Sequence, residues 1–150
     1  MRRAILIFAF LVPAVLLIAG VAYAKTIDCN GGDCTGTNRA DTMNGSPNDD
    51  KMLALEGGDT LYGVDGMDAL KGKGGGDRIF GGEGNDVVKG GDGQDRVDGG
   101  EGNDIVRGGT HSAADDHARD VLICGPGRDE VFFVRGQDVR RGCEVKRPSN

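Results

Sequence analysis

A nine-residue repeat dominates this chain and restricts what it can fold into. Three consecutive blocks begin at Gly81, Gly90 and Gly99, and each has the pattern Gly-Gly-x-Gly-x-Asp-x-apolar-x. Counting in nines from Asp86 finds an aspartate at the sixth position of eight consecutive blocks, which span 36–107. These are Asp41, Asp50, Asp59, Asp68, Asp77, Asp86, Asp95 and Asp104. So short a period predicts a solenoid whose coils stack on one another.

The eighth position of the same blocks is apolar throughout, which predicts a single buried file of side chains. It holds Met43, Met52, Leu61, Leu70, Ile79, Val88, Val97 and Val106. The glycines are less regular, because Ala54 replaces one first-position glycine and Arg39 and Asn48 replace two at the fourth position. The loops of the N-terminal blocks are therefore expected to depart from the pattern.

These blocks resemble the haemolysin-type calcium-binding repeats, the RTX nonapeptides. The resemblance implies an all-β fold, a parallel β-roll with two nonapeptides per coil, and calcium as cofactor. Calcium takes about six to eight oxygen ligands from carboxylates and backbone carbonyls, more than one short loop supplies. With two blocks per coil, a loop stacks on the loop eighteen residues away, as Asp68 does on Asp86. Stacked pairs of this kind are the predicted calcium sites.

The predicted metal-site residues are the eight sixth-position aspartates and the glycines of the three most regular blocks. Those glycines are Gly81, Gly82, Gly84, Gly90, Gly91, Gly93, Gly99, Gly100 and Gly102. Glycine adopts positive φ at little cost and leaves backbone carbonyls bare. The last three residues of each block are predicted as strand, and the preceding six as the turn. The alternative is that aspartate and glycine merely favour turns, which does not explain aspartate at one fixed position.

The repeat loses its phase after Arg107 and regains it near the C-terminus. Aspartates recur at nine-residue spacing from Asp120, and Arg140 replaces the apolar residue of the last block. That block is therefore expected to act as a cap. The predicted organisation is a signal peptide at 1–24, an N-terminal cap at 25–35, eight calcium-binding repeats at 36–107, an insert loop at 108–119, degenerate repeats with a C-terminal cap at 120–145, and a disordered tail at 146–150.

The start of the chain has the features of an export signal. Arg2 and Arg3 precede an apolar run, Ala4–Ala19, and Ala22 and Ala24 form a small-x-small cleavage pattern. The run is short for a membrane span, although a membrane anchor is the alternative. We therefore predict a secreted, extracellular protein with no membrane span after signal cleavage.

The four cysteines all follow the signal and flank the repeats. An even count behind an export signal indicates disulfides, and three connectivities are open. Cys29 and Cys34 precede the array, and Cys124 and Cys143 follow its regular part. This arrangement favours local pairs, Cys29–Cys34 and Cys124–Cys143, that staple the two ends. A zinc site is the alternative.

Charge and motifs argue against several function classes. The net charge of −6 argues against nucleic acid as a partner. The chain has no His-Glu-x-x-His and no Gly-x-Ser-x-Gly motif, so no enzyme is predicted, and a hydrolase accessory module is a more remote alternative. His111 and His117 share the insert with Asp115 and Asp116. A second metal site and a solvated loop are both open there.

The residues beside each inward position form two outward faces. One face combines an apolar row with a basic row, Ala69, Val87 and Ile105 beside Lys71, Lys89 and Arg107. Strand propensity and solubility explain such rows simply. The alternative function that they suggest is an adhesive or matrix-binding protein that docks an anionic cell-surface or matrix polymer.

Overall fold

The computed structural model describes residues 24–109, 118–133, 138–143 and 145–148, and every regular element among them is a β-strand. In chain order the strands are β1 (Lys25–Asp28), β2 (Gly32–Thr35), β3 (Asp41–Asn44), β4 (Asp50–Glu56), β5 (Thr60–Asp65), β6 (Ala69–Gly74), β7 (Arg78–Glu83), β8 (Val87–Asp92), β9 (Arg96–Glu101), β10 (Ile105–Arg107), β11 (Val121–Ile123), β12 (Glu130–Phe133), β13 (Val139–Arg141) and β14 (Val145–Pro148).

The strands alternate between two parallel sheets. One seven-stranded sheet has the order β1-β3-β5-β7-β9-β11-β13, and the other has the order β14-β12-β10-β8-β6-β4-β2. Leu61 pairs with Ile79 and Ile79 with Val97, so each coil advances by two nine-residue blocks. The predicted parallel β-roll with two nonapeptides per coil is confirmed.

The eighth-position side chains form the buried file that the sequence predicts. All eight have 0 % exposure, and Leu122 and Val131 continue the file beyond the insert. Successive strand residues point to opposite faces, so the flanking seventh and ninth residues turn outward. Each buried aliphatic side chain contributes about 1.5–3 kcal/mol of hydrophobic stabilisation, and one file gives the roll a thin core.

The strands extend further than the sequence predicts. β5, β7 and β9 each have six residues and continue through the first three positions of the following block. The predicted six-residue turn is therefore wrong, because the Gly-Gly-x segment stays in the sheet ladder. A positive φ at its second position bends the strand without ending it, as at Gly82 (φ 119°) and Gly100 (φ 103°).

Three residues other than glycine occupy that second position with positive φ. They are Leu55 (φ 84°), Val64 (φ 92°) and Lys73 (φ 87°). The left-handed conformation costs a residue with a Cβ about 1–2 kcal/mol, and a β-branched valine is the least suited to it. The stacked coil therefore imposes this backbone shape even where the sequence lacks glycine.

The insert lengthens one coil without disturbing the stack. Leu122 pairs with Val97 across a separation of twenty-five residues, whereas regular coils repeat after eighteen. The ladder therefore resumes in register beyond the insert. His111 and His117, with Asp115 and Asp116, lie outside the described residues.

Both ends of the roll carry the disulfides that the sequence favours. Cys29 is bonded to Cys34, and Cys124 to Cys143. Arg140, at the failed eighth position, places its guanidinium 3.8 Å from the ring centre of Phe133. A cation over an aromatic face is a favourable contact, so an arginine closes the file where an aliphatic residue is missing.

The C-terminal boundary differs from the prediction of a tail without structure after residue 145. β14 pairs with β12 over four residues, from Val145 opposite Glu130 to Pro148 opposite Phe133. The outer edge of β12 presents backbone donors and acceptors that favour one more strand. At the other end, the predicted signal falls almost wholly on residues 1–23, outside the described part. No helix among the described residues is long and apolar enough to span a membrane.

Candidate calcium-binding site

Two rows of aspartates run along the roll, one before the strands of each sheet. The first row comprises Asp41, Asp59, Asp77, Asp95, Asp120 and Asp138, and the second comprises Asp50, Asp68, Asp86, Asp104 and Asp129. All except Asp138 are buried, with at most 3 % exposure. Carboxylates are rarely buried unless they are paired or bind a metal.

One oxygen of each carboxylate connects neighbouring coils. The backbone N–H of Asp50 donates to Oδ1 of Asp68 at 2.8 Å, and that of Asp68 donates to Oδ1 of Asp86 at 2.9 Å. The N–H of Asp86 donates in turn to Oδ1 of Asp104 at 2.9 Å. The structure thus brings together the aspartates eighteen residues apart that the sequence pairs.

The second oxygen has no such partner along most of the regular array. Oδ2 is buried and accepts no hydrogen bond in Asp59, Asp68, Asp77, Asp86 and Asp104. A buried acceptor without a partner costs about 1–3 kcal/mol, and more if charged. A repeated cost of this kind marks a position for a proton or a cation.

Where the first position is a glycine, each of these Oδ2 atoms faces a backbone carbonyl oxygen. The space between the two is open because the glycine, which has no Cβ, lies beside it. A Cβ built on Gly63 would overlap both Oδ2 of Asp68 and the carbonyl oxygen of Gly81. A Cβ on Gly81 would overlap Oδ2 of Asp86 and the carbonyl oxygen of Gly99. A carboxylate from one coil and a carbonyl from the next therefore converge at each first-position glycine. Such hard oxygen donors suit calcium.

Side chains alone do not complete a metal site in the described part of the chain. No three His, Cys, Asp or Glu side chains there come together as a metal-binding group. A calcium ion would therefore draw most of its ligands from backbone carbonyls, with the aspartates supplying the charge. The bare glycine turns fit that requirement.

The row of buried carboxylates shifts its own ionisation. The pKa of Asp77, Asp86 and Asp104 is raised to about 6. Burial is the largest cause, the backbone hydrogen bond opposes it, and the nearby carboxylates add to it. The pKa values of Asp59 and Asp68 are raised for the same reasons. The roll therefore holds negative charge at a cost that a cation would relieve.

The other predicted glycines shape the turns. Gly84, Gly93 and Gly102 have positive φ of 136°, 114° and 129°. A Cβ at any of the three would overlap a backbone carbonyl in the preceding coil, namely that of Gly66, Gly75 or Gly84. Gly82, Gly91 and Gly100 supply the second-position bend, and Gly91 has φ 133°. A Cβ on Gly90 would overlap Oδ2 of Asp95, just as a Cβ on Gly81 would overlap Oδ2 of Asp86.

The first two turns are closed differently. The N–H and Oγ1 of Thr37 donate to Oδ2 of Asp41 at 2.6 and 2.8 Å. The N–H and Oγ of Ser46 donate to Oδ2 of Asp50 at 2.7 and 3.0 Å. A hydroxyl residue thus occupies the carboxylate oxygen that is free in later turns. Metal binding by Asp41 and Asp50 stays a prediction, as it does for the other predicted metal-site residues.

Three aspartates beyond the insert, Asp120, Asp129 and Asp138, belong to the rows, although the predicted metal-site residues do not include them. Asp95 donates its N–H to Oδ1 of Asp120 at 3.0 Å, and Asp104 does the same to Asp129 at 3.0 Å. A Cβ at Gly108 would overlap Oδ2 of Asp120, as at a regular first position. The available signals are the nine-residue spacing of Asp120 and Asp129 and the glycine at the start of the insert, Gly108, which lies nine residues after Gly99.

Comparison with protein-family models matches the array itself. The RTX calcium-binding nonapeptide repeat model, which comprises four copies, matches residues 35–70 and again residues 71–106. Comparison with curated proteins gave no match, and comparison with solved structures gave none either. RTX nonapeptides bind Ca²⁺ and form β-rolls, and the stacked aspartates fit calcium-binding turns. Residues 35–106 are therefore RTX calcium-binding nonapeptide repeats.

Proposed function

We propose that this chain is a secreted calcium-binding protein whose Asp- and Gly-rich turns hold calcium between stacked coils and so fold the β-roll. One observation carries the proposal: buried aspartate oxygens without hydrogen-bond partners recur through the array. Backbone carbonyls of the next coil face those of Asp68 and Asp86. Calcium supplies the positive charge that this row lacks.

The energetic argument follows from the stacking distance. Coils in a parallel sheet lie about 4.8 Å apart, so the carboxylates of Asp68, Asp86 and Asp104 repel one another along the row. At about 1 mM calcium and a dissociation constant near 0.1 mM, typical of extracellular modules, each site adds about 1.4 kcal/mol. A handful of such sites matches the stability of a small domain.

The turns differ in how well they support metal binding. Those of Asp68, Asp86 and Asp104 combine a free Oδ2 with a glycine at the first position. The turn of Asp59 carries Ala54 at that position, whose Cβ narrows the corresponding space. Asp41 and Asp50 complete the proposed set, but their Oδ2 atoms are already hydrogen-bonded. We therefore rank these last two turns as the weakest sites.

Secretion and a non-catalytic role belong to the same proposal. The export-signal pattern around Arg2 and Ala24 supports secretion, and so do two disulfides near the ends of the roll. RTX repeats are structural and calcium-binding rather than typically catalytic. We infer that the chain binds and stabilises rather than catalyses.

Calorimetric calcium titration of two charge-matched triple variants tests the proposal. The first, Asp68→Asn with Asp86→Asn and Asp104→Asn, removes three buried carboxylates. The second, Asp65→Asn with Glu83→Gln and Glu101→Gln, removes three exposed ones that stack nearby. We expect the first variant to lose calcium sites and the second to keep them. Equal losses would mean that general acidity, not the buried row, binds calcium.

An adhesive role is the second candidate, and the outward faces favour it. Val87 is 39 % exposed, and Lys71 and Lys89 lie next to each other in register beside it. On the opposite sheet, the rings of Tyr62 and Phe80 stack with centroids 5.2 Å apart. The test compares the chain with a Lys71→Gln and Lys89→Gln variant on an immobilised acidic polysaccharide. Retention of the original chain and loss of the variant would support the adhesive role. Equal retention of the two would speak against it.

A further inference from the structure

A small cavity lined by lysines lies beside strands β6 and β8. Its lining residues are Lys71, Lys73, Lys89, Gly90 and Gly91, and its volume is about 120 Å³. Lys71 and Lys89 are registered neighbours on the two strands, and Lys73 is in register with Gly91. The two glycines have no side chain, so lysine side chains and glycine backbone form the walls of the cavity.

Cationic side chains outnumber carboxylates around Lys89 in the described part of the chain. Burial lowers the pKa of Lys89, and the cationic neighbours Lys73, Arg107 and Lys71 lower it further, with Asp92 partly offsetting them. A cluster of cations is thus held together on a chain whose net charge is −6.

We propose that this cavity binds one doubly charged tetrahedral oxyanion, a sulfate or phosphate group. Three ammonium groups supply more charge than a single carboxylate balances, which favours a dianion over a monoanion. Lysine presents a compact charge with three rotatable donors and is a common ligand of phosphate groups. Gly90 and Gly91 line the cavity with backbone atoms alone.

The site depends on the folded roll and so rests on the proposed function. Lys71 and Lys73 belong to one coil and Lys89 to the next, and they meet only because β6 pairs with β8. If calcium folds the roll, calcium also assembles the cavity. Anion and calcium binding are then coupled, and by linkage each increases the affinity for the other.

The experiment is a calorimetric titration in which sodium sulfate is added to the full chain at about 1 mM calcium. Chloride holds the ionic strength constant. Glycerol phosphate and glucuronate are titrated in parallel, as a phosphate ester and a monoanionic carboxylate. The test variant combines Lys71→Gln and Lys89→Gln. The control is Lys51→Gln, which removes one exposed lysine on the same sheet outside the cavity. Circular dichroism first establishes that each variant is folded.

We expect saturable binding of sulfate and glycerol phosphate to one site, weaker binding of glucuronate, and at least a tenfold loss in the double variant only. Binding of just one dianion would assign the source, sulfate ester or phosphate ester. A folded chain that binds neither dianion, or binds both equally well after the double substitution, would overturn the site while leaving the calcium proposal intact. A chain that stays unfolded in calcium would overturn both.

Discussion

The backbone N–H of Asp68 donates a 2.9 Å hydrogen bond to Oδ1 of Asp86, one coil further along the roll. That contact fixes the Asp86 carboxylate between two coils and leaves its other oxygen, Oδ2, buried without a partner. The same carboxylate therefore serves two purposes, since one oxygen maintains the register of the stack and the other is available to a cation.

Replacement of Asp86 by asparagine separates these two purposes. The amide retains an oxygen to accept the Asp68 N–H but removes the charge and the second carboxylate oxygen. We expect calcium affinity to fall about tenfold or more, because ligand charge sets the affinity of such sites. Asp41→Asn is the matched control, since Thr37 already occupies Oδ2 of Asp41. Equal losses in calorimetry would contradict the ranking of the turns.

A methyl group at Gly81 should close one calcium turn. The added Cβ of Gly81→Ala would overlap Oδ2 of Asp86 and the carbonyl of Gly99. We expect the loss of about one bound calcium and a destabilisation of about 1–3 kcal/mol, typical of overpacking. In the control Gly58→Ala, the nearest atom is 3.4 Å from the new Cβ and φ is not positive. Denaturant unfolding in calcium compares the two, and similar losses would refute the predicted role of Gly81.

Glycine at position 64 should stabilise the roll. Val64 has φ 92° and is 43 % exposed, so Val64→Gly relieves about 1–2 kcal/mol of backbone strain and costs about 0.5–1 kcal/mol in unfolded-chain entropy. We expect a net gain of up to about 1.5 kcal/mol in the free energy of unfolding. Val87→Gly is the control, because Val87 is 39 % exposed and is not among the positive-φ residues, and it should destabilise. A loss of stability in both variants would argue that no strain is stored at Val64.

Acidification should favour the calcium-free roll. The pKa of Asp77, Asp86 and Asp104 is raised to about 6 in the folded chain from 3.8. Between those values the folded state binds more protons than the unfolded state, so its stability increases as pH falls and is lowest above pH 6. Circular dichroism of metal-free chain at pH 7.5 and 5.0 measures this, and a loss of structure at the lower pH would contradict it. In calcium the trend reverses, because protons compete with the metal.

The fold follows from the sequence because two positions of the repeat are under strict physical constraint. The eighth position must fill a narrow core, and the sixth places a carboxylate between coils, so Ile79 and Asp86 are identifiable from spacing alone. Cys124 and Cys143 were also predictable, since they flank an end where the repeat fails.

Other features depend on contacts between coils that the sequence does not display. The positive φ at Val64 and Lys73 is imposed by the stack, although neither residue favours it. Ser46 donates a hydrogen bond to Asp50, as is common in ordinary turns. Only comparison with the later turns, where Oδ2 has no partner, shows that this hydrogen bond distinguishes the early turns. The strand β14 forms because an edge is available, not because its residues repeat.

The most direct test of the central claim is a calcium titration of the full chain followed by far-ultraviolet circular dichroism. We predict little β signal in excess chelator, since stacked carboxylates and 28 glycines oppose folding, and a cooperative gain of β signal as calcium rises toward the millimolar range. Magnesium at the same concentration should not substitute, because it demands shorter, near-octahedral coordination and dehydrates reluctantly. A spectrum in excess chelator that already matches the calcium-bound one would show that metal does not fold the roll.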